Sequence, residues 1–244
     1  MTMDTGAKTL NFIRRPITRR HGLLTMATGL SSYVLSSRSE PVRAQATPPK
    51  DVSPDDAVQL LKEGNARYIK GDVNLSDFAA DRVAHSLGQA PFAAILGCAD
   101  SRVIPELAFH QSHGELFVIR VAGNIVNNDV LASLEYAIQF LDTRLIVVLG
   151  HSTCGAVKAA VEVVKNNTVL PGHLPGLVEP IIPAVKTAAD MPGNMLANAI
   201  RENVINSIDE MQTTSLLLAA AVSSRQTKIV GAVYDIPSGK VDFL

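Results

Sequence analysis

The sequence predicts one α/β domain, with a mainly parallel central β-sheet flanked by helices and an N-terminal helical arm. Short apolar runs, several of which end at Gly, alternate along the chain with longer segments of helical periodicity, and this order is typical of βαβ units. Hydrophobic residues make up 47% of the 244 residues and charged residues 18%. This composition supplies one buried core and excludes a disordered chain.

Residues 1–46 are interpreted as an export signal rather than as part of the fold. Basic residues that include Arg19 and Arg20 precede a modestly apolar run at 22–35, and the small residues at 44–46 (AQA) suit a peptidase. The arginine pair resembles a twin-arginine signal, which predicts a periplasmic or otherwise exported protein. The run is too short and too rich in Gly, Ser and Thr for a permanent membrane span. A disordered basic tail is the alternative.

The charge of the chain changes after this segment. Residues 1–46 hold seven of the 22 basic residues and two of the 23 acidic ones, which leaves 15 basic against 21 acidic residues, a net charge of −6, for 47–244. A domain that acidic is a poor general binder of nucleic acid. The prediction is therefore a domain over 47–244 without a nucleic-acid partner.

The first predicted elements of the domain are a helix and three strands. The helix covers 53–71, because a Ser cap and a Pro precede apolar residues on one face. Near-continuous apolar runs at 92–96 and 144–150 predict parallel strands buried on both faces, and a third strand at 115–123 lies between them.

The remaining elements are mainly helical. Helices are predicted at 127–142 and 155–166, and one or two more at 200–222. A Pro/Gly-rich loop is predicted at 166–180. The segment 228–244 closes the chain with a strand, a Pro-Ser-Gly turn and a short returning strand.

Three metal-binding side chains follow two of the predicted strands. Cys98 follows the strand at 92–96, and His151 follows the strand that ends at the same edge of the sheet, where open α/β sheets bind ligands. Cys154 comes three residues after His151, so both side chains can converge from a single turn. Two thiolates and one imidazole form a ligand set that suits zinc.

The predicted site resembles a catalytic rather than a structural zinc site. A structural site normally has four protein ligands, whereas three ligands leave the fourth position to water, substrate or a carboxylate. Asp100 is the nearest carboxylate, and Arg102 lies two residues further, where its guanidinium can bind that carboxylate in a bidentate contact. A disulfide between Cys98 and Cys154 is the alternative interpretation of the two cysteines.

Two motifs carry a family resemblance. CADSRV at 98–103 and HSTCGA at 151–156 resemble the paired signature of β-class carbonic anhydrases, and the likeness extends through GNARY, RVAGN, SLEYA and GAVYDIPSGKV. It covers roughly 53–244. The resemblance implies an enzyme with one Zn²⁺ per subunit, which hydrates carbon dioxide reversibly to bicarbonate and a proton through a zinc-bound hydroxide. Together with the export signal interpreted at 1–46, it predicts a bacterial, exported member of the family.

The resemblance also implies roles for individual residues. Asp100 and Arg102 form a dyad that orients the metal-bound water, and in some members of the family the aspartate exchanges onto the metal as a fourth ligand. The family builds its substrate pocket across a dimer interface, so a homodimer or homotetramer is expected. The implied zinc ligands are Cys98, His151 and Cys154, and the implied pocket residues are Gln89, Phe117, Tyr136 and Gly155.

The sequence leaves alternative functions open and departs from the family pattern at one position. An exported zinc-binding module without turnover and a dithiol or disulfide protein are the competing functions. A tryptophan upstream of the first cysteine forms a bicarbonate-inhibition site in some bacterial members, but this chain has no Trp and carries Ile95 in that vicinity.

His110 and His113 are predicted to lie in a surface loop rather than to bind a second metal, and His85 has no partner that the sequence reveals. The sequence identifies no proton shuttle, and Tyr136 is no more than a guess for that role.

Overall fold

The structure is a computed structural model, in which residues 52–72, 82–83 and 85–244 are described. The predicted export signal at 1–46 lies outside the described residues and stays a prediction. Within the part of the chain that the structure describes, no helix combines the length and the hydropathy that crossing a bilayer requires.

Within the described residues, the central sheet contains five strands, β1 (Ala93–Gly97), β2 (Leu116–Arg120), β3 (Leu145–His151), β4 (Lys228–Tyr234) and β5 (Val241–Phe243). Their order is β2-β1-β3-β4-β5. The first four strands run parallel, and β5 pairs antiparallel to β4. The mainly parallel sheet predicted from the apolar runs is confirmed, as is the returning strand at the end of the chain.

The two central strands are buried on both faces, which explains their continuous apolar sequence. Every residue of β1 and β3 is buried. Along β1, Ala93 and Ile95 pack into the core on one side of the sheet, and Ala94 and Leu96 pack into the core on the other side. This alternation is the period of two that a strand imposes.

The helices with described bounds are α1 (Pro54–Ile69), α2 (Pro105–Ala108), α3 (Asn128–Leu141), α4 (Gly155–Asn166), α5 (Leu174–Val178), α6 (Ile182–Ala189), α7 (Met195–Thr214) and α8 (Leu216–Ser223). The predicted helices at 53–71, 127–142 and 155–166 are confirmed. Side-chain oxygens cap four helices by accepting a hydrogen bond from the N–H three residues later. The capping residues are Ser53, Asn127, Asn194 and Ser215.

Helices cover both faces of the sheet. Ala57 and Leu61 of α1, the predicted helical arm, pack in one core with Ile95 of β1. Leu134 of α3 and Val204 of α7 pack in the core on the opposite face. The predicted arrangement of a sheet flanked by helices is therefore confirmed.

The predicted loop at 166–180 is wrong in its second half. It contains α5 and the start of a 3₁₀ turn at 179–181, and α6 follows directly. Pro175, Pro180 and Pro183 occupy first-turn positions of these short helices. A proline there sacrifices no intrahelical hydrogen bond, so a Pro-rich segment is compatible with consecutive helix starts.

The predicted helical region at 200–222 is two helices that meet at Ser215. This residue has an extended backbone, ends α7 and caps α8. The first turn of α7, which starts at Met195, lies outside the predicted region. Ser215 explains the break, because its side chain satisfies an N–H that a continuous helix would bond to the backbone.

The sheet brings the predicted ligands to one edge. β1 and β3 are neighbours, with Gly97 opposite Leu149, so their carboxyl ends lie side by side. Cys98 follows β1 directly. His151 is the last residue of β3 rather than the residue after it, and Cys154 immediately precedes α4.

Candidate metal centre

Three buried side chains converge at the carboxyl edge of the sheet. The metal-binding atoms of Cys98, His151 and Cys154 all lie within 4.8 Å of one another, and we call these residues the metal centre. Their exposed fractions are 5%, 0% and 1%. The two sulfurs are 4.0 Å apart and unbonded, far beyond the disulfide bond length of about 2.05 Å. The structure therefore gives no support to the disulfide interpretation.

His151 is oriented as a metal ligand. Its Nδ1 lies 2.9 Å from the carbonyl oxygen of Ser152, and since a carbonyl only accepts, Nδ1 carries the proton. The Nε2 atom is buried and has no hydrogen-bond partner in the described part of the chain. A backbone carbonyl that fixes the far nitrogen of a ligand histidine is the usual outer contact of metal sites. The donor set and this unpartnered nitrogen fit a zinc ion.

The turn between β3 and α4 places Cys154. The N–H of Ser152 donates to the carbonyl of Tyr234 at 2.8 Å, which holds the chain against β4. Thr153 then adopts a left-handed backbone with φ of 57°. This reversal lets α4 begin at Gly155 and directs Cys154 back toward His151.

Gly123 supports the other thiol. Its N–H donates to the sulfur of Cys98 at 3.3 Å. The backbone of Gly123 has a φ of 76°, and an added Cβ would lie 2.7 Å from Cδ1 of Ile181 and 3.1 Å from Cβ of Ala156. Only glycine fits both the conformation and the space. The sequence interpretation missed this residue, although it belongs to the RVAGN motif.

The pKa values of the two cysteine thiols shift in opposite directions. The Cys154 thiol donates to Cys98 and lowers the pKa of the Cys98 thiol to about 4 against burial, and the adjacent His151 ring and the N–H of Gly123 act in the same direction. The same contact with Cys98, together with burial, raises the pKa of Cys154. For His151, burial alone would lower the pKa, but contact with the Cys98 thiolate and the Ser152 carbonyl raises it. A bound cation would displace the remaining protons, because metal ligands must be deprotonated.

Asp100 and Arg102 form a bidentate ion pair beside the metal centre. Arg102 donates from Nε to Oδ1 of Asp100 at 2.9 Å and from Nη2 to Oδ2 at 2.7 Å. The backbone N–H of Arg102 adds a third bond to Oδ1 at 3.0 Å. The guanidinium therefore holds the pKa of Asp100 well below its usual range. Oδ2 of Asp100 lies 3.9 Å from Nε2 of His151.

Arg120 anchors the loop between Cys98 of the metal centre and the Asp100–Arg102 ion pair. The sequence did not point to this residue. Its Nε donates to the carbonyl of Cys98 at 2.9 Å, and its Nη2 donates to the carbonyl of Asp100. The residue ends β2, the neighbour of β1. Arg120 thus connects the edge strand to both functional residues.

The structure brings only one of the four predicted pocket residues to the metal centre. Gly155 follows Cys154, and an added Cβ there would meet no atom of the described part of the chain within 4 Å, so the space is open. Gln89 precedes β1, at the end of the strand opposite Cys98. Phe117 pairs with Ala94, near the start of β1.

Tyr136 contacts Phe117 and Phe140 rather than the metal centre. Its ring centroid lies 6.3 Å from that of Phe117 and 5.2 Å from that of Phe140. Tyr136 and Phe140 are 45% and 76% exposed. We call Phe117, Tyr136 and Phe140 the aromatic face. The substrate-binding roles of Gln89, Phe117 and Tyr136 remain predictions, and within one chain these residues do not reach the metal centre.

The fold and the site define a class: an α/β protein whose buried centre offers a metal two thiolates and one imidazole and leaves a coordination position open. Comparison with known proteins gives the family. Residues 93–241 match the family model described as carbonic anhydrase, and the chain belongs to that family.

Relatives and solved structures agree with this assignment. The carbonic anhydrase of Mycolicibacterium smegmatis is 34% identical over 191 residues, which cover 78% of this chain and 93% of that protein. The beta-carbonic anhydrase of Coccomyxa has a TM-score of 0.61 at 29% identity, over 75% of this chain and 83% of that one. A chain from the crystal structures of two tetrameric beta-carbonic anhydrases of Sordaria macrospora shares the fold, with a TM-score of 0.60 at 24% identity over 78% of this chain and 97% of that one.

Proposed function

We propose that the protein is a zinc-dependent carbonic anhydrase, which converts carbon dioxide and water reversibly to bicarbonate and a proton. One observation carries the proposal: Nε2 of His151 is buried beside two thiol sulfurs and has no hydrogen-bond partner among the described residues. A buried polar atom left unbonded is costly unless a ligand satisfies it. A zinc ion held by Cys98, His151 and Cys154 satisfies all three groups.

A zinc ion held by Cys98, His151 and Cys154 would supply the nucleophile, because zinc lowers the pKa of water from about 16 toward about 7. The chain's own residues would supply the orientation. Asp100 stays ionised at neutral pH, so it accepts a hydrogen bond but donates none. Because Arg102 occupies both carboxylate oxygens from one side, the carboxylate has a fixed direction. The dyad therefore aligns the attacking oxygen toward carbon dioxide.

The thiolates set the pH range of the reaction. Cys98 and Cys154 together contribute two negative charges, which offset the charge of the metal more than neutral imidazoles do. We therefore expect activity to rise toward alkaline pH. The space beside Gly155, where an added Cβ would meet no atom of the described residues within 4 Å, would give carbon dioxide a position next to the metal centre.

A second copy of the chain completes the substrate pocket in this proposal. β2 is an edge strand whose residues are only partly buried, in contrast to β1 and β3. An exposed edge strand beside exposed aromatic rings favours pairing with another chain. Antiparallel pairing of two β2 edges would bring Gln89 and the aromatic face toward the metal centre of the partner. A homodimer is the smallest assembly with this geometry, and the Sordaria macrospora proteins provide a tetrameric precedent for the fold.

Stopped-flow hydration of carbon dioxide by the purified protein from pH 6 to pH 9 tests the function, with zinc determined on the same sample. Near-stoichiometric zinc and activity that rises with pH are the expected results. Full zinc occupancy without activity at any pH would contradict catalysis and leave a zinc-binding module. Absence of zinc together with absence of free thiols would instead support a disulfide protein.

Export through a twin-arginine signal is the proposed localisation. It is supported by Arg19 and Arg20 before the apolar run at 22–35, and by the small residues at 44–46. Fractionation of a bacterial host, followed by N-terminal sequencing, tests it. We expect periplasmic protein that begins near residue 47, and an Arg19→Lys, Arg20→Lys variant that stays in the cytoplasm. Cytoplasmic protein with an intact N-terminus would refute the proposal.

A further inference from the structure

The proposed reaction releases one proton for each bicarbonate, and no group in the metal centre accounts for its departure. Histidine is the side chain that ordinarily changes charge between pH 5 and pH 8, so it is the natural proton carrier. The sequence contains six histidines. Of the five that the structure describes, His151 belongs to the metal centre. His173 lies in an exposed loop before α5.

His110 does not suit this task. Its Nδ1 accepts a hydrogen bond from Nε of Arg67 at 2.9 Å. Burial, followed by the nearby Arg67 charge, lowers the pKa of His110. Both conditions oppose the uptake of a proton near neutral pH. His85 and His113 therefore remain as candidates.

These two imidazoles, which we call the histidine pair, lie in contact. The ring centroids of His85 and His113 are 5.6 Å apart, and the rings meet edge to face at 82°. His85 is half-buried and His113 is exposed, so one ring is directed inward and the other reaches solvent. This combination suits transfer between a site and bulk buffer.

Gly114 fixes the inner ring. An added Cβ at Gly114 would lie 2.9 Å from Cε1 and 3.1 Å from Nδ1 of His85, and the backbone has a φ of 85°. The His85 ring therefore rests on a backbone that only glycine readily provides. The position of His85 is built into the turn before β2.

A cavity of about 600 Å³ joins the histidine pair to a predicted pocket residue. Gln89 lines this cavity together with His85 and His113, and the carboxylate of Glu106 is the acidic group among the lining residues. Water in a polar cavity of this size can connect groups that do not touch each other directly. A proton that arrives near Gln89 thus has a polar route to both imidazoles.

The cavity lies at the amino ends of β1 and β2, because Gln89 precedes β1 and the lining residue Leu116 begins β2. In an antiparallel pair, the first residue of one strand faces the last residue of the other. In the proposed dimer, pairing of the β2 edges therefore places this cavity beside the carboxyl edge of the partner's sheet. That edge carries the partner's metal centre.

We propose that the histidine pair is the proton exit of the enzyme and serves the metal centre of the partner subunit. Hydration of carbon dioxide forms bicarbonate and leaves one proton on water. Neutral His85 accepts this proton, His113 passes it to a buffer base, and both rings return to the neutral form without any redox change. The inference rests on the proposed function and its dimer.

A double variant, His85→Gln and His113→Gln, tests the role in the full-length protein by stopped-flow kinetics at low and at high buffer concentration. Proton release follows bicarbonate formation, so its loss lowers kcat and leaves kcat/KM for carbon dioxide unchanged. At low buffer concentration, kcat is expected to fall roughly 10-fold or more. Added imidazole buffer should restore it. The matched control is His173→Gln, which should retain the wild-type kcat in both buffers.

The outcomes separate the two proposals. A variant whose kcat equals that of the wild type at low buffer concentration would overturn the proton-transfer role and leave the proposed function intact. A parallel fall of kcat and kcat/KM that imidazole does not restore would also overturn it, since this indicates a structural role. A wild-type protein that holds zinc but does not hydrate carbon dioxide would overturn the proposed function and this inference together.

Discussion

The two ends of β1 differ in how complete their chemistry is within one chain. At the carboxyl end, the metal centre is buried, and backbone groups of the same chain contact the side chains of Cys98 and His151. At the amino end, Gln89, the histidine pair and the aromatic face are partly or fully exposed. The first region, which we call the self-contained region, can bind a metal in the monomer. The second region, which we call the exposed region, has residues with predicted functions but no reaction centre nearby, so its proposed role depends on a partner.

The largest expected effect comes from removal of a ligand in the self-contained region. Cys154→Ala leaves one thiolate and one imidazole, which is too few strong ligands for a stable zinc site. We expect loss of the metal and a fall in activity of roughly 1,000-fold or more. Zinc content and stopped-flow hydration measure both effects.

Lys158→Ala is the control for this variant, because the exposed lysine lies one turn further along the same helix. It should retain zinc and rate. Retention of stoichiometric zinc by Cys154→Ala would contradict the assigned ligand set.

The second prediction separates metal binding from chemistry in the same region. Asp100→Asn preserves the shape of the side chain but removes the charge that Arg102 stabilises. Zinc should remain bound, whereas kcat should fall about 100-fold, because the neutral amide no longer provides the fixed acceptor. Zinc analysis together with kcat distinguishes this result from loss of the metal.

The chain offers a closely matched control for the dyad. Asp142 and Arg144 form an ion pair at the same sequence spacing, with 2.8 Å between Oδ2 and Nη2, and lie just before β3, at the opposite end from His151. Asp142→Asn should leave the rate unchanged. If Asp100→Asn also keeps the wild-type rate, the dyad has no part in the reaction.

The self-contained region was predictable from sequence for a physical reason. Continuous apolar runs before Cys98 and up to His151 specify buried parallel strands, and the carboxyl ends of neighbouring parallel strands meet. Cys154 follows within one turn. Local sequence therefore determined which ligands converge, although it did not reveal the N–H of Gly123, which reaches Cys98 through tertiary packing.

The contacts of the exposed region were less predictable from sequence, because they join residues that are far apart along the chain. His85 meets His113 only because the segment after α2 folds back to start β2 beside β1. Gln89 is separated from the metal centre because the two lie at opposite ends of β1. Resemblance to a family motif does not show on which end of a strand a residue lies. The sequence did not predict the helices within 174–189 for another reason. Pro and Gly usually indicate a loop, but Pro is also common in the first turn of a helix.

The third prediction tests whether the exposed region needs a partner. Phe140→Glu places a charge on a side chain that is 76% exposed in the single chain, so it should change little in a monomer. In the proposed dimer, the charge disfavours association. We expect a shift toward monomer in light scattering and about a 10-fold loss of kcat/KM, because the pocket residues lose their position. Zinc content should not change.

Val169→Glu provides the comparison, since Val169 is 93% exposed and lies in the loop after α4, away from β2. This variant should keep the mass and activity of the wild type. Unchanged mass and activity in Phe140→Glu as well would show that the aromatic face is ordinary surface.

The smallest expected effect concerns how backbone packing supports the metal centre. Gly123→Ala forces a Cβ into a left-handed conformation, at about 1–2 kcal/mol, and places it 2.7 Å from Ile181. The turn must shift, which weakens the N–H bond to Cys98. Since a net hydrogen bond contributes about 1 kcal/mol, zinc affinity should fall about fivefold in competition with a chelator. Gly155→Ala, whose Cβ would lie in open space beside Cys154, should retain wild-type affinity. Equal affinity in both variants would mean that the thiol and imidazole ligands alone determine zinc binding, and that the region is even more self-contained than its hydrogen bonds indicate.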